Sequence, residues 1–147
     1  FSKAYGLAGM RVGWGLFPSD IAQEVRKVTN PNNISVAGQA AATAALADQI
    51  YMRETCEVTA MLRDGFIDRL RRAGFDVPGS FTNFALIRFA DAEAAKQVDA
   101  ALRAESVFLR AQGGAGLPAC LRVTIGDAEM LDIAAGLLER WAERARQ

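Results

Sequence analysis

Phe1-Ser2-Lys3-Ala4-Tyr5-Gly6-Leu7-Ala8-Gly9-Met10-Arg11-Val12-Gly13 is the stretch from which the rest of the chain is read. It holds one amine, one hydroxyl and one guanidinium in a segment too rich in glycine for a regular helix or strand. A lysine bonds covalently to a carbonyl compound only as the neutral amine, and guanidinium forks and serine hydroxyls are natural partners of a phosphate dianion. The segment thus has the parts to hold a carbonyl cofactor at Lys3 and its anionic handle at Ser2 and Arg11. The plain reading makes Lys3 and Arg11 solvated charges on a loop entering a strand at 10–17, and spacing alone favours it.

Outward from this stretch, Pro18 closes the strand and Ser19-Asp20 is a cap for a helix over 21–28. Thr29-Asn30-Pro31-Asn32-Asn33 is a dense turn signal; its asparagines read as turn formers, with a ligand contact from Asn32 or Asn33 as the other reading. An alanine-rich helix follows over 36–46. A longer one spans 51–72, with Val58, Met61, Leu62, Phe66 and Leu70 on its apolar face. Its other face, Arg53, Glu54, Glu57, Arg63, Asp64, Asp68 and Arg71, reads as a solvated surface. Gly74 ends that helix. Strands are expected at 75–77 and 84–89, then a helix over 92–104 capped by Asp91 and a strand at 107–111. A flexible link of Gly113, Gly114 and Gly116 leads to a strand at 120–125. Asp127 starts a final amphipathic helix with Trp141 and Arg146 towards its end. This order describes a small α+β domain.

Arg122 lies in the apolar run Leu121, Val123 and Ile125, and a buried arginine is costly unless it meets an anion, either a structural carboxylate or one carried by a ligand. Asn83, read by itself, is a polar residue at a strand start, and Arg110 a surface arginine on an edge strand.

Two motifs change that weighing. The opening stretch, continued to Trp14, resembles the cofactor-lysine motif of fold type I pyridoxal-phosphate aminotransferases, most closely the histidinol-phosphate aminotransferase branch. Gly116-Leu117-Pro118-Ala119-Cys120-Leu121-Arg122-Val123-Thr124-Ile125-Gly126 is similar to the Leu-Arg-Val-Thr-Ile-Gly segment of the same family. The resemblance implies that Lys3 is the Schiff-base lysine and proton shuttle, that Ser2 and Arg11 bind the cofactor phosphate, and that Arg122 receives a substrate α-carboxylate. Ser80-Phe81-Thr82-Asn83-Phe84 resembles the family's Ala-Asn-Phe segment near the substrate, which makes Asn83 a candidate contact. Arg110 stands where this branch has an arginine facing a substrate phosphate.

The implied fold is α/β and α+β: residues 1–48 as the end of the large pyridoxal-phosphate domain, and 49–147 as a linking helix with the small carboxy-terminal domain. The implied reaction is transamination between an amino acid or amino phosphate and a 2-oxo acid, in a cytoplasmic homodimer. The same scaffold also serves aromatic aminotransferases and phosphoamino-acid decarboxylases. Family members are more than twice as long, so the chain is expected to be the carboxy-terminal part of such an enzyme, inactive alone; a catalytically silent fragment is the remaining alternative.

Composition agrees without deciding. The 147 residues carry 17 basic and 17 acidic groups, so no polyelectrolyte surface for nucleic acid or anionic membrane is expected. The chain has no histidine and two cysteines, Cys56 and Cys120, which speaks against a zinc site or a His-based triad. Isolated cysteines fit a reducing cytosol, each as a small buried group.

Overall fold

The computed structural model describes residues 1–145 and mixes helix with strand. It divides into two compact units, Phe1–Glu57 and Val58–Gln147.

The first unit begins with a tight turn, Gly6 N–H donating to the Lys3 carbonyl and Leu7 N–H to that of Phe1, followed by a 3₁₀ turn over Ala8–Met10. Helix α1 (Ser19–Val28) and helix α2 (Val36–Ala47) come next. Ser35 caps α2 by accepting from Gly38 N–H, and the Asn30 side chain closes the preceding turn by accepting from Asn32 N–H. Two expectations are corrected here. No strand forms over 10–17: Met10 ends the 3₁₀ turn, Arg11 is left-handed at φ 51°, and residues 12–17 have no ladder partner among the described residues. A strand exists only where a second segment takes up its N–H and C=O groups, which no local pattern supplies. Helix α1 is entered from Pro18 at the N-cap, with Ser19 and Asp20 already inside the first turn.

Helix α3 (Gln49–Arg72) runs into the second unit. There β1 (Phe84–Arg88), α4 (Ala92–Ala104), β2 (Arg110–Gln112), β3 (Leu117–Thr124) and α5 (Ala128–Arg144) follow. The sheet is antiparallel in the order β1-β3-β2. Its apolar face, Ala85, Ile87, Leu121 and Val123, packs with Phe66, Ile67 and Leu70 of α3, Val98 and Leu102 of α4, and Leu131, Ala135 and Leu138 of α5. Asp91 and Asp127 cap α4 and α5, accepting from Ala94 and Glu129 N–H.

The differences from expectation in this unit are local. On α3, Val58 and Met61 are exposed, Ile67 joins the core and Arg63 is buried, so the apolar face is rotated from the one anticipated. Only Asp76 of 75–77 pairs, as a single bridge to Arg88, because Phe75 is taken up in ending α3. The strand expected at 107–111 lies at Arg110–Gln112, and the glycine link forms a 3₁₀ turn over Gly113–Ala115. Cys120 is buried as anticipated, whereas Cys56 is exposed. Arg146 lies outside the described residues.

Candidate functional site

Ser2, Lys3 and Arg11 stand on the turn and 3₁₀ segment that open the chain. Gly6 allows this turn by adopting φ 67°, a left-handed conformation that side chains disfavour. Ser2 is half-buried, and Lys3 and Arg11 are exposed. Arg11 Nη1 donates to the Ala8 carbonyl at 2.9 Å, which ties the guanidinium to the 3₁₀ turn that carries it. Neither cation forms an ion pair among the described residues. The segment is seated on α2 by Gly38, where an added Cβ would stand 3.1 Å from the Met10 carbonyl oxygen. An unpaired amine, a hydroxyl and an uncommitted guanidinium edge form a donor set that fits a carbonyl compound bearing a phosphate.

The second unit holds the other candidates. Arg110 on β2 and Arg122 on β3 are directly opposite in the antiparallel register, and both line a cavity of about 390 Å³ with Phe108, Thr124, Asp127 and Met130. Like charges facing each other across strands repel, so this pair is not there for the sheet's own stability. Arg122 is half-buried, its guanidinium lies 5.1 Å from the centre of the Phe84 ring, and its Nε is buried without a hydrogen-bond partner. Phe84 reaches it as a diagonal neighbour: Phe84 pairs with Thr124 and Leu86 with Arg122. The cavity's carboxylate, Asp127, is engaged at the start of α5. A guanidinium in this setting, with a ring beneath it and an unmet N–H, is suited to an incoming carboxylate or phosphate.

Asn83 precedes β1 half-buried, and its carbonyl accepts from Ile125 N–H at 2.9 Å; its role here is through the backbone. Asn32 and Asn33 are exposed, the turn being made by Asn30. Sequence reasoning missed Phe84 as the ring under Arg122. The available signal was an aromatic residue in a strand-forming segment beside Asn83; the register that sets it diagonal to Arg122 is non-local.

The family model for aminotransferase class I and II matches residues 1–138. The histidinol-phosphate aminotransferase of Rhodospirillum centenum is 41% identical over 142 residues, which cover 93% of this chain and 38% of that protein. The Paracoccus denitrificans histidinol-phosphate aminotransferase is 38% identical, over 99% of this chain and 40% of its own length. Among solved structures, the Sinorhizobium meliloti histidinol-phosphate aminotransferase in complex with pyridoxal-5'-phosphate superposes with a TM-score of 0.87 at 33% identity, covering 99% of this chain and 40% of that one. The chain thus spans about two fifths of the length of the relatives it matches. It belongs to the aminotransferase class I and II family.

Proposed function

We propose that the whole protein carrying this chain is a pyridoxal-phosphate-dependent aminotransferase that moves an amino group between an amino acid or amino phosphate, of histidinol-phosphate type, and a 2-oxo acid. On this reading 1–48 ends the large cofactor-binding domain of a fold type I enzyme, 49–147 supplies a linking helix and the small domain, and the working form is a homodimer. The observation that carries it is the Arg110–Arg122 pair, two cations that line one cavity and form no ion pair among the described residues, in a chain whose opening turn presents a lysine likewise without one.

Pyridoxal phosphate, when bound, supplies an aldehyde for amines and a ring that withdraws electrons from the substrate α-carbon. Lys3 would be the covalent anchor, and its amine, when free, would take the proton from the substrate α-carbon as general base and return it as general acid. Ser2 and the open edge of Arg11 hold the phosphate, and the bond from Arg11 Nη1 to the Ala8 carbonyl keeps that edge in place. Arg122 takes the substrate carboxylate, which fixes which α-carbon bond is held in line for cleavage. Arg110 meets a second anionic group, such as a phosphate, and Asn83 borders the same substrate.

The test is the stoichiometry of the purified whole protein, supplied with pyridoxal phosphate, histidinol phosphate and 2-oxoglutarate. One amino acid formed per donor consumed is the expected outcome. With a phosphoamino acid supplied as donor in a parallel reaction, release of carbon dioxide in place of amino transfer would assign the decarboxylase reaction instead.

A further inference from the structure

We propose that Arg63 on α3 is a positioning residue for Arg122, acting through the Ser80–Phe84 turn and the Phe84 ring. The inference rests on the reading of Arg122 as the carboxylate-binding residue.

Among the described residues Arg63 is the charged side chain that the second unit buries, 9% exposed, although its neighbouring partner Asp64 is largely in water. Burying a guanidinium costs several kcal/mol unless its hydrogen bonds are met. Its Nη1 crosses to the Thr82 carbonyl at 3.3 Å, 19 residues away in sequence, and its Nε binds Asp64. Thr82 is a fulcrum of the turn. Its N–H donates to Ser80 Oγ, Ser80 Oγ donates to the Phe84 carbonyl at 2.7 Å, and Phe84 N–H donates to Thr82 Oγ1. Lower in the same loop, Arg71 of α3 donates to the Val77 carbonyl at 2.8 Å. Two guanidiniums of one helix thus fasten the segment from Val77 to Thr82 by its backbone.

The far end of that fastening is the site. Phe84 carries the ring under Arg122, and the Asn83 carbonyl ties the start of β1 to Ile125 beyond β3. Arg122 has no hydrogen bond at Nε to hold it, so the ring is its support, and a ring displaced by an ångström leaves the guanidinium free to turn from its ligand. Arg63 touches neither cavity nor substrate; it sets where the platform stands.

The experiment uses the whole protein loaded with pyridoxal phosphate and succinate as an unreactive carboxylate probe, read from the cofactor's absorbance. It compares Arg63→Met, Arg63→Lys, Phe84→Leu and Arg122→Ala with the parent. Arg63→Met is expected to weaken succinate binding about tenfold while kcat at saturating substrate stays within about threefold, and Arg63→Lys to recover most of the loss. Phe84→Leu is expected to match Arg63→Met, and the double variant to be no weaker than either alone. Succinate binding within twofold of the parent in folded Arg63→Met would overturn the proposal. So would unchanged binding in Phe84→Leu, which decides the matter if Arg63→Met does not fold. If Arg122→Ala leaves succinate binding unchanged, the reading of Arg122 itself fails and the positioning role falls with it; loss in Arg122→Ala without loss at Arg63 or Phe84 overturns the positioning role alone.

Discussion

A guanidinium stays charged across the whole working range of pH, so Arg122 must find its anion in its own chain or in a ligand. Among the described residues Arg122 forms no ion pair, and the group lying against it is the Phe84 ring. In the whole enzyme, Arg122→Lys is therefore expected to raise KM for the carboxylate substrate about 10- to 100-fold, because an ammonium cannot form the forked pair and stacks less well on Phe84. Steady-state kinetics check this, and an unchanged KM would remove Arg122 from the site. The setting of Arg122, a charge inside an apolar strand, was legible in the sequence. Arg63 was not: it sits among Arg53, Glu57 and Asp68 on a helix of dense charge, and only the distant Thr82 carbonyl distinguishes it. Ser106 was equally hidden. It holds φ 61° at the end of α4, where glycine has no penalty, so Ser106→Gly is expected to stabilise the second unit by about 0.5–1 kcal/mol. A lowered urea midpoint would contradict that.

At the scale of elements, the helices were readable because their signals are local. Asp91, Asp127 and the alanine run of α2 specify start and propensity within one turn of chain. The strands drifted because helix ends consumed their expected first residues. Phe75 N–H bonds the Leu70 carbonyl and Gly74 N–H that of Arg71; Val107 and Ser106 repeat the pattern on Leu102 and Arg103. Both are the paired bonds of a Schellman ending, and each delays the following strand. Gly38 shows the reverse economy, a small residue required by a neighbour far away in sequence. Gly38→Ala would press a methyl group against the Met10 carbonyl and shift the 3₁₀ turn that carries Arg11. The expected result is at least about tenfold weaker retention of pyridoxal phosphate by the whole protein, measured by equilibrium dialysis. Unaltered retention would show that this close approach does not govern the phosphate site.

Helices α3 and α5 are joined by an ionic cluster in which Arg69 binds Glu139 through Nε and Nη2 and also contacts Asp132. The hydrogen bonds from Arg69 hold the Glu139 carboxyl below its usual range. A depressed folded-state pKa contributes stability above the unfolded value near 4.3, and loses it as pH falls through the folded value. Glu139→Gln is accordingly expected to lower stability at pH 7 by about 0.5–1 kcal/mol, a modest figure because the pair is one-third exposed, and to match the parent at pH 2–3. Urea titrations at the two pH values check this; an equal deficit at both would assign the loss to packing.

For the molecule as a whole, burial is unequal. The second unit encloses a continuous apolar core from Phe66 to Leu138. In the first, Val12 and Ala42 are the buried hydrophobic side chains, while Trp14, Leu16 and Val28 are 79%, 90% and 86% exposed. Exposed apolar side chains of that size are what an interaction surface presents. In the isolated 147-residue chain, amides of 62–142 are expected to exchange at least about tenfold more slowly than those of 1–48, and equal protection would contradict this. No described helix is long and apolar enough to cross a membrane. The sequence carried the helices of the compact unit, but not the packing of 10–17, whose partners no local pattern names.

On the proposed reading, Lys3 is the residue to which pyridoxal phosphate is joined. Reducing the whole protein with borohydride in the presence of pyridoxal phosphate, then digesting it and weighing the peptides, tests it most directly. The expected result is a single modified peptide bearing a phosphopyridoxyl group on Lys3, and none in Lys3→Ala. A modification spread over Lys27 and Lys96, or one retained in Lys3→Ala, would contradict it.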